Sequence, residues 1–199
     1  ALQPSEVEAW TRAAERMYVP YDAQTGLTLQ HDGFLDDEPW DFVNTSPDRY
    51  PLLLFYHPLN IYRKQVIKQA DVVLAMFLLG EAFSLEEKQR NFAFYDPLTT
   101  GDSSLSSCIE AIIAAQVGEM DKAIRYGMAA LLMDLADVGG NVKDGCHIAS
   151  MGGTWMMLAY GFGGMRDNDG ILSFWPRRAP EENAILQFHV TYRGQRLRI

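Results

Sequence analysis

Apolar residues at steps of three and four recur along the chain as far as Gly164, which predicts a succession of helices. Val7, Trp10, Ala14 and Met17 share one helical face, and Ser5-Glu6-Val7-Glu8 reads as a capping box with Ser5 as N-cap and Glu8 at N3. That helix is expected to end near Tyr18, before Pro20. Residues 20–60 lose the period. Pro20, Pro39, Pro47, Pro51 and Pro58 predict a long loop region, and Phe34, Trp40, Phe42, Phe55 and Tyr56 argue that it is ordered. Residues 61–79 read as one helix, with Val66, Ala70, Val73 and Phe77 on a face and Lys64, Lys68 and Gln69 near its start. Gly80 ends it. Ser84-Leu85-Glu86-Glu87 is a second capping box, opening a helix that runs to about Tyr95 before Pro97. After the polar turn at residues 98–104, Leu105, Ile109, Ile112 and Ile113 predict the next helix, closed by Gly118. Ile124, Met128, Leu131, Leu132 and Leu135 predict another, closed by Gly139-Gly140. Alternate helices are the more apolar ones, as an inner and an outer layer of helical hairpins require.

The stretch from Lys143 to Asp169 organises the rest. A polar turn, Asp144-Gly145-Cys146-His147, leads into a helix from about Ile148 that breaks at Gly161, Gly163 and Gly164. Met151, Trp155, Leu158 and Phe162 share one face, while Met156, Met157, Ala159 and Tyr160 make the other faces apolar. Such a helix is expected to be buried on all sides. It is too short and too glycine-rich to span a bilayer. His147, Ser150, Gly152 and Gly153 stand at its start, where free amides, a hydroxyl and an imidazole suit an anion such as phosphate. The competing reading is that Ser150 caps a turn and the glycines permit close helix packing. After Gly170 the period becomes two. Leu172, Phe174 and Pro176 lead into Leu186–Tyr192, Gly194 reads as a turn, and Leu197 and Ile199 begin a partner strand.

Composition adds limits. With 48% hydrophobic residues the 199-residue chain has material for a sizeable core. A net charge of −9 argues against a nucleic-acid partner or an anionic membrane surface, so an anion site here must rely on local donors. Cys108 and Cys146 make neither a disulfide framework nor a metal cluster, which fits a reducing cytoplasm. The charged, amphipathic first 18 residues do not read as a signal peptide.

Four runs resemble glycoside hydrolase family 65, the inverting phosphorylases of maltose, trehalose, kojibiose or nigerose: YRKQVIKQADVVLAM, DPLTTGDSSLSSCIEAI, MDLADVGGNVKDGCHIASMGGTW and YGFGGMRDNDGILSF. The resemblance implies a mainly α fold, with residues 1–170 as the second half of an (α/α)6 barrel and residues 171–199 as the first strands of a C-terminal β-sandwich. It implies that Lys68 and Gln69 contact the sugar, and that Ser103, Ser104, His147, Ser150, Gly152 and Gly153 hold phosphate. The family's general acid, a Glu upstream of the Lys-Gln pair, has no match between Ala1 and Tyr62, so the chain reads as a C-terminal fragment, inactive alone.

The resemblance further implies an α-linked glucose disaccharide as substrate, inorganic phosphate as co-substrate, β-glucose 1-phosphate as product, no metal or other cofactor, and a homodimer when the polypeptide is intact. An inverting hydrolase needs a base carboxylate to activate water; a phosphorylase does not. In the alternative, a family 65 hydrolase, Asp102 or Glu110 would be that base. Asp102 is expected to cap the helix around Leu105, and Glu110 to sit on an outer face. A third reading is a non-catalytic binding fragment.

Overall fold

Proline at the first helical position shapes the N-terminus in the computed structural model, which describes residues 2–177 and 185–199. Helix α1 (Pro4–Glu15) is capped at Gln3, whose backbone N–H donates to the Glu6 carboxylate at 2.7 Å while its carbonyl accepts from the Glu6 N–H at 3.0 Å. The capping box therefore lies two residues earlier than Ser5 and Glu8 suggested, because Pro4 brings a φ already set for the first turn. No residue of α1 is buried, and Val7 and Trp10 face outward.

Residues 20–57 hold little regular structure, as their prolines predicted. Strands β1 (Tyr21–Asp22) and β2 (Leu27–Thr28) pair antiparallel. Aromatic packing orders the region: Phe34 is buried against Phe94 and Tyr95, and the Tyr95 hydroxyl donates to the Thr28 carbonyl at 2.8 Å. Strand β3 (Glu38–Pro39) follows, then the single turn α2 (Pro58–Ile61).

The helix expected over residues 61–79 is not continuous. Lys64–Gln65 forms strand β4, parallel to β3, and only Asp71–Leu78 is helical (α3). The physical reason lies in the backbone partners. The Ile67 N–H donates to the Leu98 carbonyl at 2.9 Å, and its own carbonyl accepts from Thr100 N–H at 2.9 Å. The Gln65 amide meanwhile donates to the carbonyls of Leu35 and Asp37. Lys68 and Gln69 thus lie in a turn ahead of α3.

Helix α4 (Leu85–Tyr95) begins with the Ser84/Glu87 capping box. Helix α5 (Ser106–Val117) ends at Gly118, whose φ of 94° reverses the chain into α6 (Met120–Leu132). Ala111, Ile112, Ala114 and Ala115 are fully buried, so α5 is the centre of the main core. Helix α7 (Ile148–Met156) runs on into a π-helical segment, Met157–Phe162. A Cβ on Gly153 would meet Cys108 Sγ at 2.4 Å, and one on Gly161 would meet Ile112 Cα at 3.4 Å. The two contacts follow in the same order along both segments, so α5 and α7 run in the same direction.

Helix α7 departs from the expectation of burial on all sides. Met151, Trp155 and Leu158 are exposed, while Ser150, Gly153, Met157, Ala159 and Gly161 are buried. Small residues let the α7 backbone approach α5, and the bulky apolar set points away from that contact. Among the described residues no helix is long and apolar enough to cross a membrane.

Two antiparallel hairpins close the chain. Strands β5 (Met165–Asn168) and β6 (Ile171–Phe174) turn through Asp169-Gly170, both with positive φ, as a two-residue hairpin loop requires. Strands β7 (His189–Tyr192) and β8 (Gln195–Arg198) do the same through Arg193-Gly194. The second hairpin follows the two-residue period. The first begins ahead of the point where that period becomes visible, after Gly170.

Candidate functional site

The starts of α3, α5 and α7 meet at one end of the molecule. The two backbone bonds of Ile67 tie the Lys68–Gln69 turn to the segment leading into Ser103. Ser106 Oγ, in the first turn of α5, donates to the Lys68 carbonyl at 3.4 Å. The Gly153–Cys108 contact brings the first half of α7 onto the first turn of α5. Ser150 lies one helical turn before Gly153 on the same face. Three helix N-termini, each a source of positive potential, therefore gather the three polar segments.

Lys68 and Gln69 line a cavity of about 390 Å3 with Gln30, His31, Tyr62 and Asp71. Lys68 is exposed. The Asp71 carboxylate accepts from Gln69 Nε2 at 3.1 Å and from Gln30 Nε2 at 3.2 Å, which turns both amide oxygens to definite directions. Gln30 Oε1 is buried without a partner among the described residues. A buried acceptor left unpaired costs stability until a donor, such as a sugar hydroxyl, arrives. Sequence reasoning missed Gln30 and Asp71; Gln30 lies in a stretch without period, and an acidic residue opening a helix is ordinary.

Ser103 is buried and caps its own turn, its Oγ accepting from Leu105 N–H at 3.3 Å; Ser104 is half-buried beside it. Asp102 does not cap α5. Its carboxylate accepts from Leu52 N–H at 2.8 Å, pinning the proline-rich loop. Glu110 is not on an outer face either but is 97% buried, since α5 has no solvent-facing side at that level. Burial, then repulsion from Asp96, pushes its carboxyl up to about 7, against the pull of Arg125.

His147 and Ser150 line a second cavity of about 250 Å3 between the end of α6 and the start of α7. Asp134, just past α6, holds His147 twice: Oδ2 accepts from the His147 backbone N–H at 2.9 Å, and Oδ1 lies 2.5 Å from Nδ1. The His147 hydrogen bonds hold the Asp134 carboxyl below the usual carboxylate range. The Ser150 hydroxyl is 99% buried and has no partner among the described residues. Gly152 opens to solvent, whereas Gly153 is the close-packing glycine against Cys108. Both lie past the first turn, where α-helical amides bond to carbonyls four residues back. No local pattern marks Asp134, which lies thirteen residues before His147 and meets it only through the fold.

The glycosyl hydrolase family 65 central catalytic domain matches residues 1–156. The chain is 45% identical, over 100% of its length, to an alpha,alpha-trehalose phosphorylase of Geobacillus stearothermophilus, and covers 26% of that protein. It is 36% identical to a kojibiose phosphorylase of Halothermothrix orenii, over 100% of the chain and 25% of the relative. A solved structure, a putative kojibiose phosphorylase from human microbiome, superposes with a TM-score of 0.85 at 32% identity, over 99% of this chain and 29% of that one. The chain thus spans about a quarter of the length of the relatives it matches. The family match, running through the Lys68–Gln69, Ser103–Ser104 and His147–Gly153 segments that the fold gathers at one end, shows that the chain belongs to glycoside hydrolase family 65.

Proposed function

We propose that the chain is part of an inverting disaccharide phosphorylase, cleaving an α-glucosidic disaccharide with inorganic phosphate into β-glucose 1-phosphate and a free sugar. The observation that carries this reading is the convergence of the α3, α5 and α7 N-termini. It supports the reading by tying the Lys68–Gln69 turn, which lines one cavity, to the Ser103–Ser106 segment and that segment to the first half of α7, whose His147 and Ser150 line a second cavity. Phosphate needs such donors and not a base carboxylate, whose charge would repel it. Relatives named trehalose, kojibiose and maltose phosphorylase support the same chemistry.

In this reaction a phosphate oxygen attacks the anomeric carbon from the face opposite the glycosidic oxygen. The C–O bond breaks with inversion, and the departing oxygen takes a proton from a Glu in the part of the polypeptide preceding this chain. Lys68 and Gln69 bind sugar hydroxyls, and the serines, the His147 ring and the Ala149 and Ser150 amides of the first turn of α7 bind phosphate. Residues 1–170 are read as the second half of an (α/α)6 barrel, which the parallel run of α5 and α7 and the apolar α3, α5 and α7 support. Residues 171–199 are read as the start of a β-sandwich. The intact protein is read as a cytoplasmic homodimer that needs no metal.

The test incubates the complete polypeptide with α-linked glucose disaccharides, with and without inorganic phosphate. Cleavage is expected to require phosphate and to yield β-glucose 1-phosphate by 31P NMR. His147→Ala is expected to raise the KM for phosphate far more than that for disaccharide. Equal sugar release without phosphate would reject the reading.

A further inference from the structure

We infer that Asp134 is the positioning residue of the anion site, fixing the tautomer and orientation of His147 so that Nε2 faces the cavity beside Ser150. The inference rests on the phosphorylase reading of that site. Its geometry is two-point. One carboxylate oxygen takes the His147 backbone N–H at 2.9 Å and the other lies 2.5 Å from ring Nδ1. A carboxylate only accepts, so the proton of that contact sits on Nδ1. The backbone bond sets where the ring begins, and the side-chain bond sets its rotation. Both side chains are largely shielded, 20% exposed for His147 and 13% for Asp134, so water competes poorly for either bond.

Nε2 is then the only ring nitrogen left for a ligand. Neutral, it accepts from the P–OH of hydrogen phosphate; protonated, it donates to a phosphate oxygen. Either pairing works, and both fail if the ring flips. Without Asp134 the imidazole can place its proton on Nε2 and turn Nδ1 inward. The rest of the cavity is mainly apolar, lined by Ala130, Leu131, Met133, Leu135 and Met151, and the Thr154 hydroxyl at its edge is already bonded to the Ala130 and Ser150 carbonyls. Ser150, buried and unpaired, supplies the neighbouring hydroxyl. A carboxylate beside an anion site is usually a liability. Asp134 lines the same cavity, and here both its oxygens are engaged by His147, which offsets part of that repulsion.

The test uses the complete polypeptide and inorganic phosphate. Asp134→Asn keeps the shape but can accept only one of the two bonds, since its NH2 donates. It is expected to raise the KM for phosphate on the order of tenfold or more, with the KM for disaccharide within about twofold. The 15N spectrum of the imidazole is expected to show loss of the single Nδ1–H tautomer. Asp134→Glu, which restores two acceptors at a longer reach, is expected to recover part of the phosphate affinity, a recovery that loss of mere fold stability would not give. If His147→Ala raises the phosphate KM and Asp134→Asn does not, the positioning role is refuted while the phosphorylase reading stands. If His147→Ala itself leaves the phosphate KM unchanged, both fall.

Discussion

Glu110 makes the pH dependence of stability a direct test of how α5 is buried. The perturbation is Glu110→Gln, which keeps the shape of a protonated carboxyl and cannot ionise. Burial is the first cause of the raised Glu110 carboxyl, and the Asp96 carboxylate the second. Asp96 stays tied to Lys122 Nζ at 3.0 Å and to the Tyr126 hydroxyl at 2.5 Å, so it keeps its charge near α5 rather than turning away. A carboxyl moved from 4.5 to about 7 binds its proton more tightly folded than unfolded, by about 3 kcal/mol at most. The sign follows. The contribution is fully present below about pH 4.5, where both states are protonated, and is lost as pH rises through about 7. The wild type is therefore expected to weaken relative to Glu110→Gln between pH 5 and 8, by about 2–3 kcal/mol.

Native-state hydrogen exchange at the amides of Ile112–Ala115 reads this locally, and guanidinium unfolding of the complete polypeptide reads it globally. Any fixed cost of placing an amide at the site cancels, because only the pH dependence of the difference counts. A wild-type-minus-variant difference that is the same at pH 5 and pH 8 would refute the argument, and would mean that Glu110 reaches water or a cation when ionised. Asp96→Asn offers an internal check, since removing the like charge should shrink the pH effect without abolishing it.

Gly153→Ala is expected to destabilise the α5–α7 contact by about 1–3 kcal/mol, since its Cβ would meet Cys108 Sγ at 2.4 Å and Cβ at 2.9 Å; denaturant midpoints measure it, and Cys108→Ala in the same chain should return part of the loss. Gln69→Ala and Lys68→Ala are each expected to cost on the order of 1–3 kcal/mol in kcat/KM for disaccharide if they bind sugar hydroxyls, with little change in Tm; a loss below threefold for both would remove the 390 Å3 cavity from the active-site assignment.

How far the fold could be read ahead depended on which physical signal each segment carried. Helices α4 and α5 announced themselves through the Ser84/Glu87 box and the Gly118 stop, both of which formed as written, whereas α6 was legible as a helix but ends at Leu132, well short of the expected Gly139-Gly140 stop. Residues 62–70 carried a helical period yet became a strand flanked by turns. Their backbone bonds go to Leu98 and Thr100, some thirty residues on, and no local pattern records such partners. The site divided in the same way. Glycine and hydroxyl spacing marked the segment from His147 to Gly153, but Asp134, thirteen residues earlier and in no register with it, became visible only through its two bonds to His147.

Helix α7 shows why an apolar pattern does not by itself name the buried side. Its stripe of Met151, Trp155 and Leu158 has the spacing of a core face, yet the buried side is Ser150, Gly153, Met157 and Ala159, with Gly153 against α5 and Met157 against Gly127 of α6. Close approach of two backbones rewards small side chains, because dispersion grows with the number of near contacts rather than with side-chain size. Gly153 sits on Cys108 and Gly161 on the Ile112 backbone for that reason. The same contact sets Ser150 deep enough to be shielded from water. The small residues that hid the packing face from a hydrophobic reading are therefore the ones that carry the candidate anion site into the molecule.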